Sequence, residues 1–324
     1  MLDDVKTLSL VGGVLAILAG ATTIGQRLKF QSEIGLNPAV VEAFNLRIRA
    51  WWLMCTVLAA AFLLGPASRV ATVVLFGMIS FWALREFITL TPTRLGDHRT
   101  LFWVFFGFTP LQYVLVGLGT EYYGLFSVLI PVYGFLFIPA RVAMAGDYKR
   151  FLERTAKIQA GLMVCVYCLS YAPALLSLKI EGFEGPNARL LFFFVLVVQL
   201  NDVLQYGWGK LLGQQFGQHL IAPRINPNRT WEGFFGGVAS ATLIGTALWW
   251  ATPFKPWEAA GMSLVISVMG FAGGMTMSAI KRDRGVKDYG TLVVGHGGVL
   301  DRIDSICFAA PVFYHLTRYF FTAG

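Results

Sequence analysis

A helix that crosses a bilayer needs about 20 mostly apolar residues in a row, and this 324-residue chain meets that requirement about ten times. The stretches lie near 7–25, 49–65, 69–85, 101–118, 123–140, 158–178, 189–208, 233–252, 258–279 and 305–321. Only 14% of the residues are charged and 56% are hydrophobic, whereas soluble domains carry roughly 25% charged residues. A soluble globular enzyme, a disordered chain, a coiled coil and a disulfide scaffold are thereby excluded. The expected fold class is an all-α integral membrane protein, a polytopic helical bundle of about ten transmembrane helices. The first stretch reads as a retained span, because its leader Met1-Leu2-Asp3-Asp4 is acidic and no small-residue cleavage site follows.

The net charge of +8 is read as membrane topology before nucleic acid, which is not an expected partner. Twenty of the 26 Lys and Arg residues fall in the loops after the odd-numbered spans. Lys6, Arg69, Lys179, Arg189, Lys255 and Arg318 are scattered over the opposite face. That bias follows the positive-inside rule and places both termini on the outer side. Asn37-Pro38 has the form of a helix start and predicts a short interfacial helix over 38–48. Gly209, Gly213 and Gly217, and then Gly233 and Gly237, recur every four residues, a spacing suited to close helix packing. Cys55, Cys165, Cys168 and Cys307 all lie in apolar spans and read as small apolar filler.

Polar residues inside spans are costly unless paired or facing water, so they are candidates for function. Gln199, Asp202, Gln205 and Tyr206 share one helical face at the end of the seventh stretch. A structural hydrogen-bonded helix contact would produce the same stripe. The following loop, Asn226-Pro-Asn228-Arg229-Thr230-Trp231-Glu232-Gly233, leads into a helix whose N-terminal N–H groups suit a phosphate; an ordinary capped loop looks similar. The densest charge lies in 278–305, where nine of 28 residues are charged. Lys281, Arg282, Arg284 and Lys287 form a cationic cluster suited to a polyphosphate. Asp301 and Asp304, three apart on the opening turn of the last span, can both reach one divalent ion, and such hard oxygen ligands suit Mg²⁺. Gly295-His296-Gly297-Gly298 lies between the two features and lets backbone approach a ligand closely. A positive-inside flank touching anionic lipid explains the cations, but not the Asp pair, the His and the glycines beside them.

At this segment the sequence resembles the phosphatidate cytidylyltransferases. Their signature, S-x-x-K-R-x4-K-D-x-G followed by H-G-G-x-x-D-R-x-D, is met by Ser278, Lys281, Arg282, Lys287, Asp288, Gly290, His296, Gly297, Gly298, Asp301, Arg302 and Asp304. Asp202 to Gly209 and Asn226 to Gly233 are similar to two upstream elements of the family. The resemblance covers about 201–305, which divides the chain into an N-terminal multi-span region (1–188) and a C-terminal catalytic region (189–324). Gln205 stands where the family has Ala, Asn226 where it has Ser, Arg229 where it has Lys, and Val294 where it has Pro. Gly274 stands where the family commonly carries an acid that would hold metal. Asp202 and Asp283 are acids that could substitute, and one or two ions remain open.

The resemblance implies transfer of the cytidylyl group of CTP to phosphatidate or a related lipid phosphate, at a polar cavity facing the cytoplasm. It implies catalytic roles for Lys281, Arg282, Lys287, Asp288, His296, Asp301, Arg302 and Asp304, with His296 either a phosphate donor or a loop organiser. Substrate contacts fall to Tyr206, Asn228, Arg229, Thr230, Glu232, Ser278, Gly297 and Gly298, and Mg²⁺ to Asp301, Asp304, Asp202 and Asp288. A bacterial inner-membrane location and a homodimer are further expectations from the family. A CTP-dependent kinase of polyprenol-type lipids is the second reading. A transporter, whose path a polar stripe in a broken span could line, is the third.

Overall fold

A computed structural model of the chain describes residues 5–30, 52, 68–90, 93–183, 186–216, 219–290 and 297–322. The described residues are helical, with two isolated bridges, Ile180 to Thr322 and Leu220 to Thr230, and no strand. In chain order the long helices are α1 (Val5–Phe30), α2 (Ser68–Thr89), α3 (Leu95–Leu118), α4 (Thr120–Ala143), α5 (Phe151–Ser177), α6 (Ala188–Phe216), α7 (Trp231–Ala247), α8 (Pro256–Asp283) and α9 (Leu300–Phe321). Six of them are long and apolar enough to cross a membrane: α2, α3, α4, α5, α6 over Ala188–Gly213, and α8. Helix α7 has 17 residues, and α9 carries Asp301, Arg302 and Asp304 in its first turns. The predicted span 7–25 falls within α1, while the predicted span 49–65 and the short helix over 38–48 lie outside the described residues, apart from Trp52.

The distribution of side chains is that of a bundle solvated by hydrocarbon. Val70, Val74, Met78, Phe102, Phe106, Leu136 and Leu243 are exposed on the outer surface, whereas Thr72, Ser80, Gln112 and Ser170 are fully buried. In lipid, helix association draws on hydrogen bonds and close packing, since burial of apolar area gains little there. The Ser80 hydroxyl donates to the Cys165 carbonyl at 2.7 Å. The Gln112 amide joins α3 to α4 through the Phe126 carbonyl (3.1 Å) and to α5 through the Ser170 hydroxyl (3.0 Å). Single π-turns interrupt α3 at Val104–Phe108, α4 at Leu129–Gly134 and α5 at Met163–Cys168. In the first of these the Thr109 hydroxyl takes up the Val104 carbonyl at 2.8 Å. The three described cysteines are free thiols, with Cys165 and Cys307 buried.

The four C-terminal helices pack in sequence, α6 on α7, α7 on α8 and α8 on α9, and α9 also touches α2, α5 and α6. The α6–α7 contact is set by glycine. A Cβ at Gly237 would stand 2.7 Å from the Gln205 backbone nitrogen and 2.8 Å from its Cα, and one at Gly233 would stand 2.5 Å from the Gln205 carbonyl oxygen. Backbone cannot rotate aside as a side chain can, so these positions accept hydrogen alone. Gly237→Ala is therefore expected to destabilise the bundle by about 1–3 kcal/mol, read as a lower thermal midpoint of the purified protein in detergent. Gly261→Ala, where an added methyl meets nothing within 4 Å, should not lower that midpoint, since alanine favours a helix interior over glycine.

Candidate functional site

The site lies where α6, α8 and the start of α9 meet the loop before α7. That loop closes on itself through the Ile221 N–H donating to the Arg229 carbonyl (3.1 Å) and the Trp231 N–H donating to the His219 carbonyl (2.9 Å). The Thr230 side chain caps α7 by accepting the Gly233 N–H at 3.0 Å, the role for which a threonine before a helix is selected. The Asn228 N–H donates to its neighbour Asn226 at 3.1 Å, and the Asn226 amide reaches Ser278 on α8 at 3.2 Å. Ser278 in turn donates to the Gly274 carbonyl at 2.7 Å. Glu232 pairs with the His219 ring.

This closed loop aims Arg229 back at α6. Its guanidinium donates to Asp202 at 2.8 Å and to the Gln205 side-chain oxygen. The second Asp202 oxygen accepts the Ser305 hydroxyl of α9 at 2.6 Å, and the Ser305 N–H donates to Asp304 at 2.7 Å. The polar stripe on α6 thus meets partners on three other segments. Gln199 donates to the Arg302 carbonyl at 3.2 Å, Asn201 to the Ser267 carbonyl of α8 at 3.0 Å, and Gln205 to Asn201 at 3.0 Å. Tyr206 faces the Lys210 ammonium, 4.8 Å from its ring centroid.

Asp301 and Asp304 are given different partners. One Asp301 oxygen accepts Lys281 of α8 at 2.8 Å; the other accepts the Tyr289 and Gly298 N–H groups, each at 2.8 Å. With its side chain 7% exposed, Asp301 closes the loop that joins α8 to α9. Gly297 is required in that loop: its φ is +82°, and a Cβ there would lie 2.7 Å from the Asp301 carboxylate. Arg282 and Lys287 are exposed, as is Asp288; the Arg282 Nε donates to the Ile225 carbonyl at 3.1 Å. His296 lies outside the described residues.

Two of the acids expected to hold Mg²⁺ do not fit as ligands of a resident ion in this arrangement. Asp202 and Asp301 each have both oxygens engaged by protein donors, and among the described residues no three His, Cys, Asp or Glu side chains gather in one place.

The sequence reading missed three contributors. Ser305 links Asp202 to Asp304, and Tyr289 supplies an N–H to Asp301 while its buried hydroxyl donates to the Met277 carbonyl at 2.9 Å. Glu86 comes from α2, far away in sequence. Its carboxylate, on a residue only 5% exposed, accepts the Val299 N–H at 3.0 Å and the Leu300 N–H at 2.9 Å, so that it caps α9. A Cβ at Gly290 would stand 2.8 Å from the same carboxylate. Glu86 lies one residue beyond the stretch read as a span over 69–85, beside Arg85, so the sequence pattern did not single it out. Hydrogen bonds to a charged acceptor contribute about 1.5–3 kcal/mol each. Glu86→Gln, which turns an amide toward one of the two donors, is expected to lower stability by about 1–3 kcal/mol, measured as a thermal midpoint in detergent.

The pattern of the cytidylyltransferase family matches residues 45–320, across both halves of the chain. The chain is 38% identical over 281 residues to the uncharacterized protein YnbB of Escherichia coli K12, covering 85% of this chain and 87% of that protein. It is 37% identical over 131 residues to the phosphatidate cytidylyltransferases of Staphylococcus aureus and Staphylococcus epidermidis, covering 40% of this chain and 49% of those enzymes. With its pattern matched over most of its length, the chain belongs to the cytidylyltransferase family.

Proposed function

We propose that the protein transfers the cytidylyl group of CTP to phosphatidate or a closely related lipid phosphate, releasing pyrophosphate. The observation that carries the reading is the meeting, where the middle of α6 faces the end of α8 and the start of α9, of the segments around 202, 226–230, 278–289 and 297–305, within a chain of this family. The S. aureus relative carries the name phosphatidate cytidylyltransferase and matches this chain over 131 residues.

In this reaction a lipid phosphate oxygen attacks the α-phosphorus of CTP. A new P–O bond forms, the bond from the α-phosphorus to the bridging oxygen breaks, and pyrophosphate departs with that electron pair. The nucleophile is already an anion, so no strong base is needed. The difficulty is repulsion between two phosphates, and positioned cations lower it. Exposed Arg282 and Lys287 are the cations open to the triphosphate, an Arg giving paired contacts and a Lys a point charge. Lys281, held by Asp301, fixes the wall between α8 and α9. Arg302, the Thr230 loop with Asn228 and Glu232, and His296 complete the proposed polar cavity, which the charge bias places on the cytoplasmic side with both termini opposite. Mg²⁺ belongs to this proposal as the counter-ion expected to accompany the triphosphate, and a bacterial inner membrane as the setting.

Purified protein given Mg²⁺, CTP and a panel of phosphatidate, alkyl phosphates and polyprenyl phosphates should release pyrophosphate with phosphatidate. A label on the CTP α-phosphate should appear in lipid. Label entering lipid from the γ-phosphate would instead identify the kinase, and no release with any lipid would end the cytidylyl reading. Lys287→Ala is expected to cut turnover by 10²-fold or more, the order seen when one charge-stabilising group is removed, without a change in thermal midpoint.

A further inference from the structure

Three positions at which this chain departs from the pattern it resembles, Gln205, Arg229 and Gly274, meet in space. The Arg229 guanidinium is held by Asp202 at 2.8 Å on one nitrogen and by the Gln205 side-chain oxygen on another. On the α8 side, a Cβ built on Gly274 would lie 3.2 Å from the same guanidinium and 4.0 Å from an Asp304 oxygen. A side chain at 274 would make the guanidinium give way by a few tenths of an ångström. Ser305 then ties the two acids together, its hydroxyl on Asp202 and its N–H on Asp304. The result is a positive charge bonded to Asp202 and to the Gln205 oxygen, on a side of Gly274 that Asp304 also borders.

Two carboxylates joined in this way would otherwise attract a divalent ion, since hard oxygen donors at close quarters are what Mg²⁺ and Mn²⁺ take. A planar guanidinium bonded to Asp202 holds that acid by a fixed hydrogen bond, and its charge repels a second cation from the same place. We propose that Arg229 is a fixed cation that takes the place of an exchangeable metal ion between Asp202 and Asp304, and that removing its charge opens a divalent-cation site. Its bearing on catalysis rests on the cytidylyl-transfer reading; its bearing on ion binding does not.

The test counts Mn²⁺ bound to the purified full chain in detergent, by the loss of the free-ion paramagnetic signal, with no nucleotide or lipid present. Arg229→Ala is expected to bind about one Mn²⁺ more per chain than the wild type, and Arg229→Ala with Asp202→Asn to lose it again. Arg229→Lys, which keeps the charge, should gain none. In the otherwise unchanged protein, Asp202→Asn should leave the Mn²⁺ count as it was. Arg229→Gln keeps hydrogen bonding without charge and serves if the alanine variant does not fold; it too should gain an ion. A fall in the wild-type count on Asp202→Asn, or no gain in a folded neutral variant, overturns the proposal. Neither result touches pyrophosphate release, so the two readings fail separately.

Discussion

The candidate-site end of this bundle depends on carboxylates meeting the open N–H groups where α9 begins. A helix start leaves its first N–H groups without intrahelical partners, and away from water each unpaired group costs about 1–3 kcal/mol. Glu86 meets two of them from α2. Asp301, one residue into α9, turns back to take two more N–H groups from the preceding loop and binds Lys281 of α8. Remove this pair of anions and the loop 297–300, α8 and α9 have no common reference. The glycines at 290, 297 and 298 follow from the same need, because a carboxylate packed directly on backbone leaves no room for side chains.

Charge at the site is divided by burial. Where carboxylates are drawn inward, each has a cation or N–H partner: Lys281 with Asp301, Arg229 with Asp202. Where cations face outward, at Arg282 and Lys287, they are exposed. The inner pairs form a framework that stays put, while the outer cations can reorganise around an anionic ligand. Arg284 is neutralised locally by Asp283 and so contributes less to the outward field.

The all-helical class and six of the spans were legible, because run length and apolarity largely set what a bilayer-solvated chain can form. The α6 stripe was legible too, since the spacing of Gln199, Asp202 and Gln205 puts them on one face whatever they touch. Spacing could not say what they would touch. The i, i+3 relation of Asp301 and Asp304 allows a shared ion, yet Lys281 and two backbone N–H groups claim the first acid and Ser305 the second. Those donors come from segments whose placement is a tertiary matter. Glu86 was hidden more thoroughly. It sits beside Arg85, which reads as part of a positive flank, and its partners are 213 and 214 residues away. The reading of 1–188 as a membrane region apart from a catalytic one gave no reason to look for a site residue there, although the family pattern crosses that line.

That long reach sets an order for biosynthesis. Spans enter the membrane roughly as they are made, so α2 is in place while most of the chain is still unsynthesised. Glu86 then waits in a low-dielectric setting for N–H groups that emerge only with residues 299 and 300. A nascent chain lacking the last helix has neither that cap nor the Ser305 link between Asp202 and Asp304. The membrane scaffold can therefore be largely built before the candidate site exists, and the arrival of α9 completes both at once.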